Sequence, residues 1–471
     1  MTQVTAPERP PVHPVDEVLP PAKLFTLGLQ HLFIMYAGAV AVPLIVGEAL
    51  NLPAADIAML VNADLLVCGI ITILQTTGLS KWLGVRLPLA SGATFTVLTP
   101  MIIIGSKQGL PTVYGAFLVA GAIGIIVAGF FSKMIRFFPP LVTGVVISVI
   151  GLSLIGASIE LIAGKVNLTN PDGTLKPNPD FAPIPNVLLA GLVILLIVVF
   201  TRFLKGFWSQ IAVLLAMVVG TIVAIPMNLV NMSRVGDAGW FGVSRPFHFG
   251  TPVFELSSII AMTLVLLVTF TESTADMLAV GEIVGRHPTE QRIAAGLRLD
   301  AVSQVMAGFM NSFPDTAFAE NVGLVQMTGV RSRWVVTVTG SLLLIMGLIP
   351  KFGEIIAAIP GPVVGGAATV MFAMVTSVGI NTLRKVRFDG KYAHNMLIVA
   401  VALSCALIPA YQPKFFQQFP DWFQVILTSP ITSAVIVVFV LNILFNHLLA
   451  PPTEEAPQGV REIPDSLAGM N

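Results

Sequence analysis

Charge is scarce in this chain. Only 11% of its 471 residues are Asp, Glu, Lys or Arg, and 25 acids balance 25 bases. A soluble domain carries roughly 25% charge to cover its surface, so that class is excluded. No basic cluster rises out of the neutral balance, and no nucleic-acid partner is expected. Cysteine is nearly absent as well. Cys68 and Cys405 both sit in apolar runs, which suits small buried hydrophobes and excludes a disulfide framework or a cysteine metal site. Hydrolytic motifs are missing too: there is no H-E-x-x-H, no G-x-G-D, and no G-x-S-G with a partnering His. Glu272 and Asp276 have the chemistry of an aspartyl dyad on paper, but such dyads use two separate helices. No catalytic residue, cofactor or metal is assigned.

What is abundant is apolar length. Hydrophobic residues make up 55% of the chain and the mean hydropathy is +0.87. Runs such as "VLLAGLVILLIVVF" and "ITSAVIVVFVLNILF" belong to stretches near the ~20 residues that a helix needs to cross the hydrocarbon. They do not alternate apolar and polar residues as barrel strands do. The fold class is therefore an all-α polytopic membrane protein. Apolar windows give about 14 spans, centred near Tyr36, Leu66, Thr96, Ala122, Ile150, Leu195, Val218, Val265, Met306, Gly323, Leu343, Met371, Val401 and Val437. With a cytoplasmic N-terminus, eighteen of the 25 Lys and Arg residues fall inside and seven outside. That bias obeys the positive-inside rule and places both termini in the cytoplasm. Residues 1–20 and 450–471 are polar and Pro-rich and read as disordered tails, with no secretory signal ahead of the first span.

The two halves resemble each other. "PPLVTGVVISVIG" from Pro139 matches "GPVVGGAATVMFA" from Gly361. "AGAVAVPLIVG" from Ala37 matches "ADMLAVGEIVG" from Ala275, and "LPLASGATF" from Leu87 lies over "FPDTAFAEN" from Phe313. About seven spans per half is an odd number, so the second half enters the bilayer from the other side. Inverted repeats with binding sites on discontinuous helices are a transporter signature. The broken segments around Thr94–Phe95 and Glu320–Asn321, in spans 3 and 10, occupy corresponding places. Irregular backbone at membrane depth must be buried in protein or line a cavity. Two short antiparallel strands there would pair, each leading a half-helix whose N-terminal amides face a ligand.

Ionisable residues inside a membrane are costly and need a reason. Glu272 and Asp276 lie four apart on one helical face, where each raises the other's affinity for a proton. His31 is a lone histidine on an apolar helix, and Asp300 either caps a span end or pairs with Arg298. Asp64 reads as structural. Phe95, at the bend opposite Glu320, offers a stacking face for a planar ring. Gly323 reads as a close helix contact.

With these residues in hand, from about Pro21 to Leu449 the chain resembles the nucleobase–ascorbate transporter family, the nucleobase:cation symporters. The resemblance rests on "ENVGLVQMTG" (Glu320, Asn321, Gly323, Thr328, Gly329), on Gln30–His31 in the first span, and on the acid Glu272 of the eighth. It implies a core domain of spans 1–4 and 8–11 (residues 21–137 and 252–354). It also implies a gate domain of spans 5–7 and 12–14 (residues 138–232 and 355–449), homodimers formed through the gate, and an elevator-like motion of the core. Glu272, Glu320 and the backbone at Phe95 and Ala319 would then hydrogen-bond the base, with Thr94 and Asn321 beside them. Asp276, Asp300 and His31 would join Glu272 in proton coupling. The text around both motifs is similar to bacterial xanthine and urate permeases, which implies proton symport of an oxidised purine across the inner membrane. Glu320 leans instead to a uracil carrier. A further rival is an anion carrier of the same fold, which would want basic residues at the half-helix junction; none lies near Thr94 or Asn321 in the sequence.

Overall fold

The computed structural model describes residues 13–134, 139–164, 167–169, 175–412, 414–420, 423–424 and 427–448. Its first half runs α1 (Pro21–Ala49), α2 (Ala54–Thr77), β1 (Ser91–Ala93), α3 (Leu98–Gln108), α4 (Leu110–Met134) and α5 (Pro140–Ala163). A hairpin of β2 (Asn167–Thr169) and β3 (Leu175–Pro177) follows, then α6 (Ile184–Phe203), α7 (Phe207–Gln210), α8 (Ala212–Ala224) and α9 (Ser233–Asp237). The second half runs α10 (Leu256–Val284), α11 (Glu290–Met310), β4 (Asp315–Ala317), α12 (Ala319–Thr328), α13 (Arg333–Gly347) and α14 (Pro350–Ala357). It ends with α15 (Gly361–Leu383), α16 (His394–Tyr411) and α17 (Pro430–Ile443).

Local chemistry accounts for the boundaries. The Glu255 carboxylate accepts from the Ser258 amide at 2.9 Å and caps the start of α10. Gly285 at φ +73° and Gly329 at φ +64° take the left-handed turn that ends α10 and α12. Asn311, at φ +55°, does the same for α11. Among the described residues, nine helices are long and apolar enough to cross a membrane, and α13 and α14 form a further pair bent by 83°. The protein is thus a polytopic membrane protein built mostly of helices. All fourteen apolar centres fall on described elements, but those near Thr96, Val218, Met306, Gly323 and Leu343 are not single long apolar helices. α3, α8 and α12 are too short, α11 carries charge, and α13 stops at the bend.

α2 packs along α13, α4 along α11, and α5 along α15. Small residues allow the last pairing: a Cβ on Gly379 would strike the backbone of Ser148, and one on Gly151 the backbone of Phe372 and Thr376. Residues 1–12 and 450–471 of the expected tails lie outside the described residues. Residues 13–17, by contrast, pack against the body. Asp16 bridges Arg286 at 2.8 Å and Arg333 at 2.7 Å, and the Arg333 guanidinium also donates to the carbonyls of Thr76 and Thr77 at the end of α2.

β1 and β4 pair antiparallel, with Ser91 opposite Ala317, Gly92 opposite Thr316 and Ala93 opposite Asp315. The ladder continues through Thr94 N–H to the Pro314 carbonyl at 3.0 Å and Phe318 N–H to the Ala90 carbonyl at 2.9 Å. A two-stranded sheet leaves two edges, which cannot stay unpaired in a dry interior. Side chains of the flanking helices close them. Thr72 of α2 exchanges hydrogen bonds with the backbone of Ser91 at 3.0 and 3.1 Å. Ser273 of α10 accepts from the Ala317 amide at 3.1 Å, and Ser303 of α11 from the Asp315 amide at 2.9 Å. The Phe318 ring locks the crossing from one side. It fills a slot against Gly38 of α1 and Gly92 of β1, at either of which an added Cβ would stand 2.7 Å from the ring.

Candidate functional site

A cavity of about 510 Å³ lies where the two strands end. One wall is β1 and its continuation, from Ala93 to Thr96; another is β4 and the start of α12, from Thr316 to Ala319. α10 contributes Glu272, Ala275, Asp276 and Ala279, and α15 closes the space with Met374, Val375 and Val378, reaching Asn381, Thr382 and Lys385 at its end. The volume matches the size range of small-molecule sites, and mostly apolar walls with a few convergent polar groups are their usual composition.

The fold delivers each polar group in a definite way. Glu272 is half-buried, and its Oε1 accepts from the Thr96 hydroxyl at 2.9 Å. Asp276 follows one turn later, and the shared face inferred from their spacing does open onto the cavity. Thr94, buried, turns its hydroxyl to the Thr96 amide at 3.2 Å and so caps the short 3-10 turn Phe95–Val97 that leads into α3. α12 starts with no side-chain cap at Phe318. The Asn321 amide donates to the Phe318 carbonyl at 3.0 Å, the two amides before it are among those a helix start cannot pair within itself, and Ala319 stands exposed in the cavity wall. A helix N-terminus of this kind favours the electron-rich edge of a ligand. The Phe95 ring meets Phe372 edge-on at 5.5 Å, and Phe95 and Glu272 both line the cavity. A planar ligand with both N–H donors and carbonyl acceptors finds complements here: carboxylates for its N–H groups, amides for its carbonyls, aromatic and aliphatic faces for its plane.

Of the residues singled out in the sequence, Thr94, Phe95, Glu272, Asp276 and Ala319 meet in this cavity. Three others lie elsewhere. Asn321 is fully buried behind the half-helix, where its Oδ1 sits 2.8 Å from His31 Nδ1. This pair joins α1 to α12 and is not part of the cavity wall. Asp300 is also fully buried, deep on α11, and takes a hydrogen bond from the Gln75 amide at 3.4 Å. It does not pair with Arg298, whose guanidinium lies over Trp82 at 4.9 Å. The side chain of Glu320 lies outside the described residues. Gly323 makes no close helix contact, since nothing stands within 4 Å of an added Cβ; the exposed face of α12 carries it.

Sequence reasoning missed several wall residues. Phe318 and Thr316 carried no signal beyond lying next to Pro314. Lys385 read as one more cytoplasmic base, yet it lines the cavity beyond the end of α15. The end of α15 brings it there from far along the chain.

The family described as the Permease family (Xan_ur_permease) matches residues 22–415. The uric acid transporter UacT of Escherichia coli (strain K12) is 43% identical over 438 residues, covering 93% of this chain and 89% of its own. The xanthine permease of Bacillus subtilis (strain 168) is 38% identical over 424 residues, 90% of this chain and 94% of its own. Among solved structures, the transmembrane domain of the cyanobacterial bicarbonate transporter BicA superposes with a TM-score of 0.58 at 16% identity, over 89% of this chain and 97% of that one. The structure of SLC26A9 gives 0.59 at 13% identity, over 88% of this chain and 65% of that one. At these identities the two structures share the fold and carry no argument about cargo.

Proposed function

The chain belongs to this permease family of transport proteins, not enzymes, and from that premise we propose that it is a proton-coupled carrier of an oxidised purine, xanthine or urate, in a bacterial inner membrane. One observation carries the reading: the cavity at the strand crossing gathers Glu272, Asp276, Phe95 and the uncapped start of α12, in a chain 37–43% identical to relatives named for uric acid and xanthine. Glu272 accepts ring N–H groups, the amides at Phe95 and Ala319 donate to ring carbonyls, and Thr94 stands beside them; Glu320 is assigned to the base from the sequence motif alone. Asn321 acts through His31, steadying the half-helix from behind.

Glu272 takes up the coupling proton, with Asp276 one turn away on the same face, and His31 and Asp300 join the coupling from buried positions. The order long helix, helix, strand, half-helix, helix occurs on both sides of the strand pair and supports two inverted repeats of seven spans. The packing of α2 on α13 and α4 on α11, against that of α5 on α15, supports a core of residues 21–137 and 252–354 and a gate of 138–232 and 355–449. The cavity lies between them, so movement of the core past the gate would expose it to alternate sides. On α6, Leu188, Leu195 and Phe203 are exposed, an apolar face for lipid or for a second copy joined through the gate. Both termini are assigned to the cytoplasm.

The experiment is uptake of labelled xanthine in cells, in competition with urate, uracil, guanine and adenine, with and without a protonophore. Competition by urate and collapse with the protonophore are expected. Strongest competition by uracil would move the assignment to a uracil carrier. Uptake that ignores the protonophore but needs sodium would remove proton coupling, and a preference for small inorganic anions would favour the carrier type to which Lys385 in the wall is suited.

A further inference from the structure

Where β4 meets α2 through side chains that do not line the cavity, two acids come together that the transport reading does not use. Asp64 of α2 and Asp315 of β4 are each 1% exposed, and their carboxylate oxygens and the Cys68 sulfur all lie within 4.8 Å of one another. Cys68 Sγ stands 3.1 Å from Asp315 Oδ1 and 3.6 Å from Asp64 Oδ2. Ser303 donates to Asp315 Oδ2 at 2.9 Å, and Ser312 to Asp64 Oδ1 at 3.4 Å. Among the described residues, neither acid forms an ion pair with Lys, Arg or His. Two ionised carboxylates this close in a dry interior, with no base beside them, are not sustainable.

Hydrogens can be counted. Of the four carboxylate oxygens, two receive a hydrogen each from Ser303 and Ser312, and the other two face Cys68, whose single thiol hydrogen can serve only one of them. One oxygen is left without a hydrogen. Tyr114 of α4, which feels the charge of Asp64, is 2% exposed, and its hydroxyl has no hydrogen-bond partner among the described residues. Asp300 of α11, likewise buried, faces Asp315 with its Oδ2 unpartnered. Among the described residues, the titratable groups that touch the pair or act on it electrostatically, Cys68, Tyr114 and Asp300, carry no positive charge.

We propose that Asp64 and Asp315 form a second proton-binding site, sharing one proton between their carboxyl groups alongside Cys68. A metal ion is disfavoured by the same geometry, because the oxygens already face hydroxyl and thiol hydrogens and binding would require a thiolate. The site is mechanically linked to the ligand cavity. Asp315 begins β4 and pairs with Ala93, and β4 carries the start of α12. Loss of the proton sets two charges against each other across α2 and β4 and displaces the strand that positions Ala319.

The test is equilibrium binding of xanthine to the purified full chain across pH, for wild type, Asp64→Asn and Asp315→Asn. Each Asn mimics a protonated acid. Both variants are expected to hold their affinity about one pH unit further into the alkaline range, which is about tenfold tighter binding where the wild type has weakened. Ionisation of xanthine itself is common to all three proteins and cancels. Profiles that superimpose would overturn the proposal, as would one equivalent of metal per chain that both variants lose. The inference is separate from the cargo assignment. If the wild type binds no purine, melting temperature across the same pH series reads the pair directly, with the alkaline fall reduced in both variants. Should an Asn variant not fold, the infrared carbonyl stretch of a buried protonated acid, shifted by Cys68→Ala, reports the same proton, and its absence overturns the proposal.

Discussion

Replacing Glu272 by Gln separates charge from shape at the centre of the cavity. The amide keeps an oxygen where Oε1 accepts from Thr96 at 2.9 Å, so the local bond to β1's continuation survives. What is lost is a carboxylate facing ring N–H donors. Hydrogen bonds to a charged partner contribute about 1.5–3 kcal/mol and neutral ones about 0.5–1.5. The difference, about 1–2 kcal/mol, corresponds to a roughly 5- to 30-fold weaker Kd. Folding is expected to be unharmed, because removing a charge from a half-buried site relieves its desolvation. The larger effect falls on coupling, since an amide cannot take up a proton at this position. Binding to purified protein reads the first effect, and uptake into vesicles with an imposed pH gradient reads the second. A Glu272→Gln variant that binds in the stated range but only equilibrates its cargo agrees with the reasoning. Accumulation at the wild-type level would refute it, and loss of folded protein would show that Glu272 serves structure instead.

Two further outcomes follow from the strand crossing and the N-terminal clip. Ser273→Ala leaves the Ala317 amide without its acceptor in a dry interior, which costs about 1–3 kcal/mol; a lower melting temperature together with weaker purine binding is expected, and an unchanged protein would mean that the edge of β4 is closed in another way. For Asp16, burial pushes its carboxyl up, but the hydrogen bonds and charges of Arg286 and Arg333 outweigh this and hold it below its usual range. Its stabilisation is therefore present above the ordinary carboxylate pKa and is lost as pH falls through the lowered one. Asp16→Asn is expected to cost at most about 1 kcal/mol at neutral pH, given solvent screening, and melting curves of the two proteins should converge in acid. A gap that persists at low pH would place the effect outside this ion pair.

Much of the site was legible in the chain because backbone chemistry leaves marks in sequence. The prolines Pro88 and Pro314 mark the two irregular stretches that hold β1 and β4, and the match between "LPLASGATF" and "FPDTAFAEN" set those stretches in corresponding places, although it did not give the register in which Ala93 lies opposite Asp315. The period of a helix put Glu272 and Asp276 on one face without any tertiary information. What stayed hidden depends on approach between distant elements. Lys385 reaches the cavity only because α15 ends beside it, and nothing in "LRKVRF" distinguishes it from a solvated base. Asp64 and Asp315 are 251 positions apart in number and become a pair only because β4 pairs with β1, which packs on α2. Asn321 and His31 met each other rather than the cavity because a helix turn rotates the residue after Glu320 inward. The clip at Asp16 was hidden by its setting, since a polar Pro-rich segment reads as a tail until its two arginine partners are seen.

The account stands on the strand crossing as the place where cargo sits, and a structure solved with xanthine or urate bound tests it most directly. The prediction is a purine ring seated between Phe95 and the start of α12, with its N–H groups on Glu272 and β1 still paired to β4. A purine bound away from that crossing, or the two strands parted around it, would contradict it.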